Sequence, residues 1–167
     1  SIPFQSKHLP ALKRDVWYAL QRPADRSRTS LLIVWPARAC CVLVAMAPTP
    51  RVALLRLRID PQFLDVGCGP TIFAATLSAS ARRLWLEDAI MWKGRPVVND
   101  EQFSARWRLC AQWLEHYCLV DSRLLGGVQL EMSKWMALQS VHPDGVWEFQ
   151  ADEPGRRRLL WIVRHVD

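Results

Sequence analysis

The chain has 167 residues and a mass of 19.2 kDa, half of its residues are hydrophobic and 23% are charged. That is enough apolar material for one ordinary core and too little for two, while 9 Trp and 11 Pro fit neither a disordered chain nor a coiled coil. A net charge of +6 and a pI near 9.4 favour phosphate-bearing or otherwise anionic partners.

Only Lys7, Lys13, Lys93 and Lys134 are lysines; the other bases are Arg, which forks onto phosphate and stacks on flat rings, although such a bias also follows from genome composition alone. The longest apolar run, Leu31 to Ala47, is broken by Pro36 and Arg38 and falls short of the roughly 20 clean residues of a bilayer crossing, so no membrane span is expected. The first residues have no apolar core, and no secretory signal is expected. Cys40, Cys41, Cys68, Cys110 and Cys118 form an odd set without framework spacing, which suits buried thiols in a reducing, intracellular compartment.

In chain order, Leu12 to Leu20 has helical potential and Pro23 to Ser30 reads as a polar loop. Ser30 to Trp35, Arg38 to Met46 and Arg51 to Ile59 are short apolar runs separated by Pro36 and by Pro48-Thr-Pro50, the spacing of antiparallel strands. In the third run Arg56 and Arg58 share a face. Thr71 to Leu77 and Arg83 to Trp92 follow as a further pair, which together predicts a meander of about five strands.

The clearest helix comes next. Asn99 can cap it with Gln102 as capping-box partner, and Phe103, Trp107, Cys110, Leu114 and Tyr117 recur on one face. Leu124 to Met132 predicts a strand, Ser133 to Gln139 a short helix, and Val146 to Ala151 with Arg158 to Val166 a hairpin around Asp152-Glu-Pro-Gly155. Strands, one main amphipathic helix and then more strands give an α+β class.

The loudest local motif is Phe63-Leu-Asp-Val-Gly-Cys-Gly-Pro70, which resembles the first motif of S-adenosylmethionine-dependent methyltransferases, with Glu87 and Asp88 near the place of their ribose-binding acid. The surrounding pattern of strands, with no helix predicted straight after the glycines, favours a plain Gly-rich loop.

A second resemblance spans residues 31 to 164. It rests on Gly69-Pro-Thr-Ile-Phe-Ala-Ala-Thr-Leu77, on Leu84-Trp-Leu-Glu-Asp-Ala-Ile-Met-Trp-Lys-Gly-Arg-Pro96, and on the helix with Phe103 and Arg106. Leu31 to Ala45, Pro143-Asp-Gly-Val-Trp-Glu-Phe149 and Leu159-Leu-Trp-Ile-Val-Arg164 extend it in order. This set resembles the mRNA capping enzyme and DNA ligase nucleotidyltransferase fold, and is closer still to the snurportin cap-binding domain and to capping-enzyme-like paralogues of large DNA viruses.

The resemblance implies an antiparallel, strand-rich α+β domain over 1–167, with 1–29 as an N-terminal extension. It does not imply the family's chemistry, because that passes through a nucleophilic lysine in a Lys-x-Asp-Gly motif. No lysine here begins that motif; Pro36, Ala37 and Arg38 stand in its place, and the family's acidic strand motif falls on Phe73 to Thr76. A permanently protonated Arg holds phosphate but cannot attack it.

What the resemblance leaves is a non-catalytic module for a nucleotide, RNA or RNA 5′ cap. Trp161 would stack the base, Arg38, Lys93 and Arg164 would meet phosphate, and Asp144 a ribose or base edge. For three of these a plainer role stands alongside: packing for Trp161, a Pro-Asp-Gly turn for Asp144, solvated charge for Lys93. No cofactor is expected, and no metal either, since His116-Tyr-Cys118 and Cys40-Cys41 lack ligand spacing. The alternatives are a structural or adaptor subunit of a virion or ribonucleoprotein, with protein partners, and a methyltransferase.

Overall fold

The structure, a computed structural model, describes residues 2–22, 28–38, 40–45, 49–55, 58–64, 67–78, 82–119, 129–141 and 144–162. Its elements are β1 (Ile2–Pro3), α1 (Leu9–Arg14), β2 (Trp17–Arg22), β3 (Arg28–Trp35), β4 (Cys40–Ala45), β5 (Arg51–Leu55), β6 (Arg58–Ile59), β7 (Thr71–Ser78) and β8 (Arg83–Met91). They continue with α2 (Val97–Asp100), α3 (Phe103–Gln112), β9 (Cys118–Leu119), β10 (Gln129–Met132), β11 (Met136–Ala137), β12 (Val146–Ala151) and β13 (Arg158–Ile162). The class is α+β and strand-rich. A five-stranded sheet runs β1-β13-β12-β2-β11, a six-stranded sheet runs β10-β8-β7-β3-β4-β5, and β6 pairs with β9.

The six-stranded sheet follows from apolar runs too short and too β-branched for helices. Its rows Leu43–Leu32–Phe73–Ala89 and Cys41–Val34–Thr71 face α3, and Cys110 and Trp113 of the helical segment close that core. The expected strand pairs β3–β4, β4–β5 and β7–β8 all form, but the simple meander does not: β7 returns to pair with β3, leaving β5 at the sheet edge. The link between β5 and β7 passes over the core face, where Phe63 of the Pro61–Leu64 turn is buried. Arg56 lies outside the described residues and so does the question of its shared face.

Three expectations change. Leu12 to Leu20 is not one helix: α1 ends at Arg14, and Trp17–Arg22 is a strand whose Ala19 and Leu20 are buried on opposite faces, so its first four residues lack the polar alternation that would mark it. This makes the N-terminal segment an integral part of the five-stranded sheet rather than an extension, since β1 and β2 are two of its strands. Ser133 to Gln139 forms β11 and the Leu138–Ser140 turn instead of a helix, because Trp135 is drawn inward to donate its indole N–H to the Glu87 carbonyl at 3.0 Å.

The main helix starts later than Asn99. Asn99 sits in the one-turn α2 behind Pro96, Glu101 is extended, and Gln102 is the N-cap of α3. The cap bond comes from elsewhere: the Ser104 N–H donates to Asp152 Oδ1 of the β12–β13 turn at 2.8 Å. Of the last predicted strands, 124–128 and 163–166 fall outside the described residues; Gln129–Met132 pairs parallel with β8, and β12 with β13 is the expected hairpin.

The Gly-rich motif is a packing device. Residues 65 and 66 lie outside the described set, Pro61–Leu64 is a 3-10 turn, and β7 rather than a helix follows Gly69-Pro70. A Cβ on Gly69 would stand 2.7 Å from the Gly94 Cα, and Gly94 has φ +85. Two backbones therefore touch where no side chain fits. The Gly94 N–H donates to the Pro70 carbonyl at 2.9 Å and the Lys93 N–H to Thr71 Oγ1 at 3.0 Å.

All five cysteines are free, and Cys41, Cys110 and Cys118 are buried. Burial pushes the Cys118 thiol up to about 11 and raises those of Cys41 and Cys110 as well.

Two tests follow. Gly94→Ala should cost about 1–3 kcal/mol in urea unfolding, from left-handed strain and the lost Gly69 contact; an unchanged midpoint would refute the close approach. With Ellman's reagent at mildly alkaline pH, Cys41, Cys110 and Cys118 should stay silent in the native protein and react only after denaturation. Rapid reaction of any of these three in the folded state would contradict their burial.

Candidate functional site

The two sheets meet over buried charge. Register places Leu20, Arg22, Glu148, Gln150 and Arg158 on one face of the five-stranded sheet, because cross-strand partners share a face. Opposite them stand Glu87 and Asp88 of β8. Consecutive strand residues ordinarily point apart. Here a bulge at Glu87, between the pairs Ala74–Asp88 and Ala75–Leu86, lets both carboxylates reach the same guanidinium of Arg158, each at 3.6 Å.

Arg22 is the link between sheets. Its guanidinium pairs with Glu87 through both Nη atoms, one of them at 3.0 Å, and donates from Nε to Glu148 Oε2 at 2.8 Å and from Nη1 to Thr76 Oγ1 at 3.2 Å. Thr76 in turn donates to Glu87. Although burial works against its charge, the hydrogen bonds and proximity of Glu87 and Glu148 hold the Arg22 proton more tightly than usual. Arg158 donates to Gln150 Oε1 at 2.7 Å and to Glu148 Oε1 at 3.4 Å.

Arg106 of α3 closes the cluster. Fully buried, it forks onto Asp88 at 2.8 and 3.2 Å and donates to the carbonyls of Glu101 and Gly155 at 2.8 Å and of Glu153 at 3.2 Å. One side chain thus staples β8, the α2–α3 link and the β12–β13 turn. Arg156 lies 3.6 Å from Asp88, and its guanidinium is held below its ordinary range by burial and by Arg158.

Beside this cluster a cavity of about 480 Å³ is lined from both sheets. Arg22, Glu87 and Thr76 form part of its wall, already engaged with one another. Leu20, Val146 and Met136 supply apolar wall, and Gly145, with φ +97, lets Gln21 lie close by. The remaining lining is Trp85, Arg83, Ser133 and Lys134, of which Trp85 and Arg83 share Glu131 as a partner. Trp85 presents a half-buried ring anchored by its N–H to Glu131 Oε2 at 3.3 Å, and Arg83, on the same face of β8, lies 3.7 Å from Glu131. Lys134 is exposed and makes no salt bridge with a described residue, while Ser133 Oγ is buried without a hydrogen-bond partner among them.

The residues expected to form the site are not brought together at this cavity. Trp161 pairs with Trp147 on the other face of the five-stranded sheet and packs on Phe149, with ring centroids 6.0 Å apart. It belongs to the outer core with Phe4 and Leu12. Arg38 is exposed in the Pro36–Arg38 turn, and Lys93 sits beside Thr71; both lie at the Thr71 end of β7. The cavity lies at the Thr76 end, about 17 Å away at strand rise. The Lys93 ammonium rests over Phe63 at 5.1 Å and Tyr117 at 5.9 Å, a cation on aromatic faces within the fold.

Asp144 is exposed in the turn next to the cavity-lining Gly145 and Val146, and its carbonyl accepts the Trp147 indole N–H at 2.9 Å. Of the four expected site residues that are described, it alone adjoins the cavity. Arg164 lies outside the described residues.

Sequence reasoning missed Arg22, Trp85, Lys134 and Glu148. Two signals were present: adjacent acids in the middle of an apolar strand, Glu87-Asp88, and a lone Glu148 among Val, Trp, Phe and Ala.

Arg106→Met removes the charge and the fork from Asp88, and should cost about 3–5 kcal/mol in equilibrium unfolding, as expected for a broken buried pair. A loss below about 1 kcal/mol would mean that the staple is not required.

Comparison of the chain with protein-family models finds no match, and comparison with curated proteins finds none either.

Proposed function

We propose that the chain is a non-catalytic binding module for a nucleotide, an RNA 5′ cap or a short RNA segment, of the capping-enzyme and snurportin-like kind, and that its ligand occupies the cavity between the sheets. The observation that carries this reading is the pairing of a flat ring, Trp85, with two cations, Arg83 and Lys134, on the lining of one cavity. Its size, about 480 Å³, lies in the range of small-molecule sites. Stacking on Trp85 suits any base and is stronger for a methylated, positively charged one, while Arg83 and Lys134 suit the phosphates. Ser133 and Gln21 supply polar contacts for a base or ribose edge.

In this reading Trp85 takes the role that resemblance gave to Trp161. Binding without turnover follows from the chemistry of the lining. Lys134 begins Lys-Trp-Met-Ala, not Lys-x-Asp-Gly. Glu87 is committed to Arg22 and Thr76, and so is not free to hold a metal-bound triphosphate. The free thiols fit a reducing compartment.

A structural or adaptor subunit is the second reading. It is favoured by Trp35, which is 47% exposed on an apolar sheet face, as a residue kept for a protein partner would be.

The test is a Trp-fluorescence titration with GTP, a methylated cap dinucleotide, a trimethylated cap and S-adenosylmethionine, on wild type, Trp85→Ala and Trp161→Ala. The expected outcome is a response to cap or nucleotide that Trp85→Ala weakens roughly 5- to 150-fold, the scale of one stacked base, and that Trp161→Ala leaves unchanged. No response from folded protein, or one that survives Trp85→Ala, would overturn the cavity assignment. A response to S-adenosylmethionine alone would point back to the methyltransferase motif.

A further inference from the structure

The six-stranded sheet is covered unevenly. One face packs on α3. The opposite face meets the other sheet at β7 and β8, and beyond them it continues as apolar rows. Across the strands Val52 aligns with Val44, Leu31 and Ala74, and Leu54 aligns with Val42, Ile33 and Ile72. No charged side chain interrupts either row. At the end of these rows β5 is the edge strand, and Val52 and Leu54 are 73% and 67% exposed, more than any other large apolar residue among those described.

Edge strands are ordinarily protected by inward charges, prolines, bulges or a covering element, since their open backbone groups pair readily with another strand. Among the described residues Arg51–Leu55 has none of these between Val52 and Leu55, and it pairs only with β4. We infer that β5 pairs antiparallel with β5 of a second copy of this chain, joining two six-stranded sheets edge to edge about a two-fold axis through Ala53.

The strand is complementary to itself in this register. With Ala53 opposite its own copy, Val52 faces Leu54 of the second chain and Arg51 faces Leu55, so the apolar rows continue across the seam. The two Arg51 side chains stand at opposite ends, about 14 Å apart along the strands, beyond the screening length at physiological salt. An isologous contact of this kind closes at two chains and leaves the cavity, which lies at β7 and β8, open in both. Because each chain carries +6, the copies repel at long range, so association should tighten as salt rises, opposite to binding of a phosphate ligand.

The experiment is sedimentation velocity of the 167-residue chain over a hundredfold range of concentration at low and high salt, beside a Val52→Lys/Leu54→Lys variant and an Ala53→Cys variant. Wild type should shift from monomer to dimer, with tighter association at high salt. The double lysine variant should weaken dimerisation by roughly tenfold or more while its circular dichroism and thermal midpoint stay unchanged, because both positions are exposed. Should that variant fail to fold, Ala53→Cys decides: its two thiols face each other across the axis and should give a disulfide dimer under mild oxidation, assigned by peptide mapping to Cys at 53. A wild type that stays monomeric throughout, a dimer indifferent to the lysines, or a dimer in which position 53 does not cross-link would each overturn the proposal.

Discussion

The two sheets are joined across a buried cluster of charge. Arg22, Arg106 and Arg158 face Glu87, Asp88 and Glu148, three guanidinium groups against three carboxylates, all buried except Arg22, which is partly open to the cavity. Charges taken out of water must be compensated or the fold is lost, and a guanidinium fork tolerates little displacement. Apolar faces can slide over one another at modest cost. This cluster cannot, so it sets the spacing and angle at which the sheets stand.

The bulge at Glu87 is what makes the cluster possible. In a regular strand Glu87 and Asp88 would project to opposite faces, and one of them would be driven into the Leu32, Phe73 and Leu86 core without a partner. The extra residue turns both toward the arginines. Trp135 then caps the irregular backbone by binding the Glu87 carbonyl, and Arg158 lies over its ring at 5.4 Å. The same irregularity therefore organises the ion cluster, the β10–β11 link and the wall of the cavity that this link lines.

The cavity inherits its character from this arrangement. Where the sheets touch, charge is neutralised; where they part, at the Thr76 end, the lining changes to Trp85, Arg83, Lys134 and apolar wall. Arg22 belongs to both, as a member of the ion cluster and part of the cavity wall. Among the described residues the far half of the six-stranded sheet has no second sheet over it, and its apolar rows run out to β5, so one sheet serves a core, a cavity and an open edge along its width.

How much of this was legible differs by level. The strands β3, β4, β7, β8 and β12 and the body of α3 were readable, because their apolar runs and the Phe103, Cys110 periodicity are local properties of the chain. Trp17–Arg22 was not, since its first four residues, with Ala19 and Leu20 buried on opposite faces, show no polar alternation, and helix potential in Leu12 to Leu20 yielded to pairing with β12. Asp152, which caps α3 from 48 residues away, shows the same dependence on distant sequence.

The site was less legible than the fold. Amino-acid order alone determined an α+β class, thiols suited to burial, the absence of a Lys-x-Asp-Gly nucleophile and a Gly-rich loop before β7, because each depends on residue identity or on neighbours in the chain. Which Trp faces a cavity, which arginines are structural, and that Trp161 and Trp85 lie on different sheets were decided only in three dimensions. Strand register assigns every side chain to a face, one bulge reverses that assignment, and both are settled by partners far away in sequence.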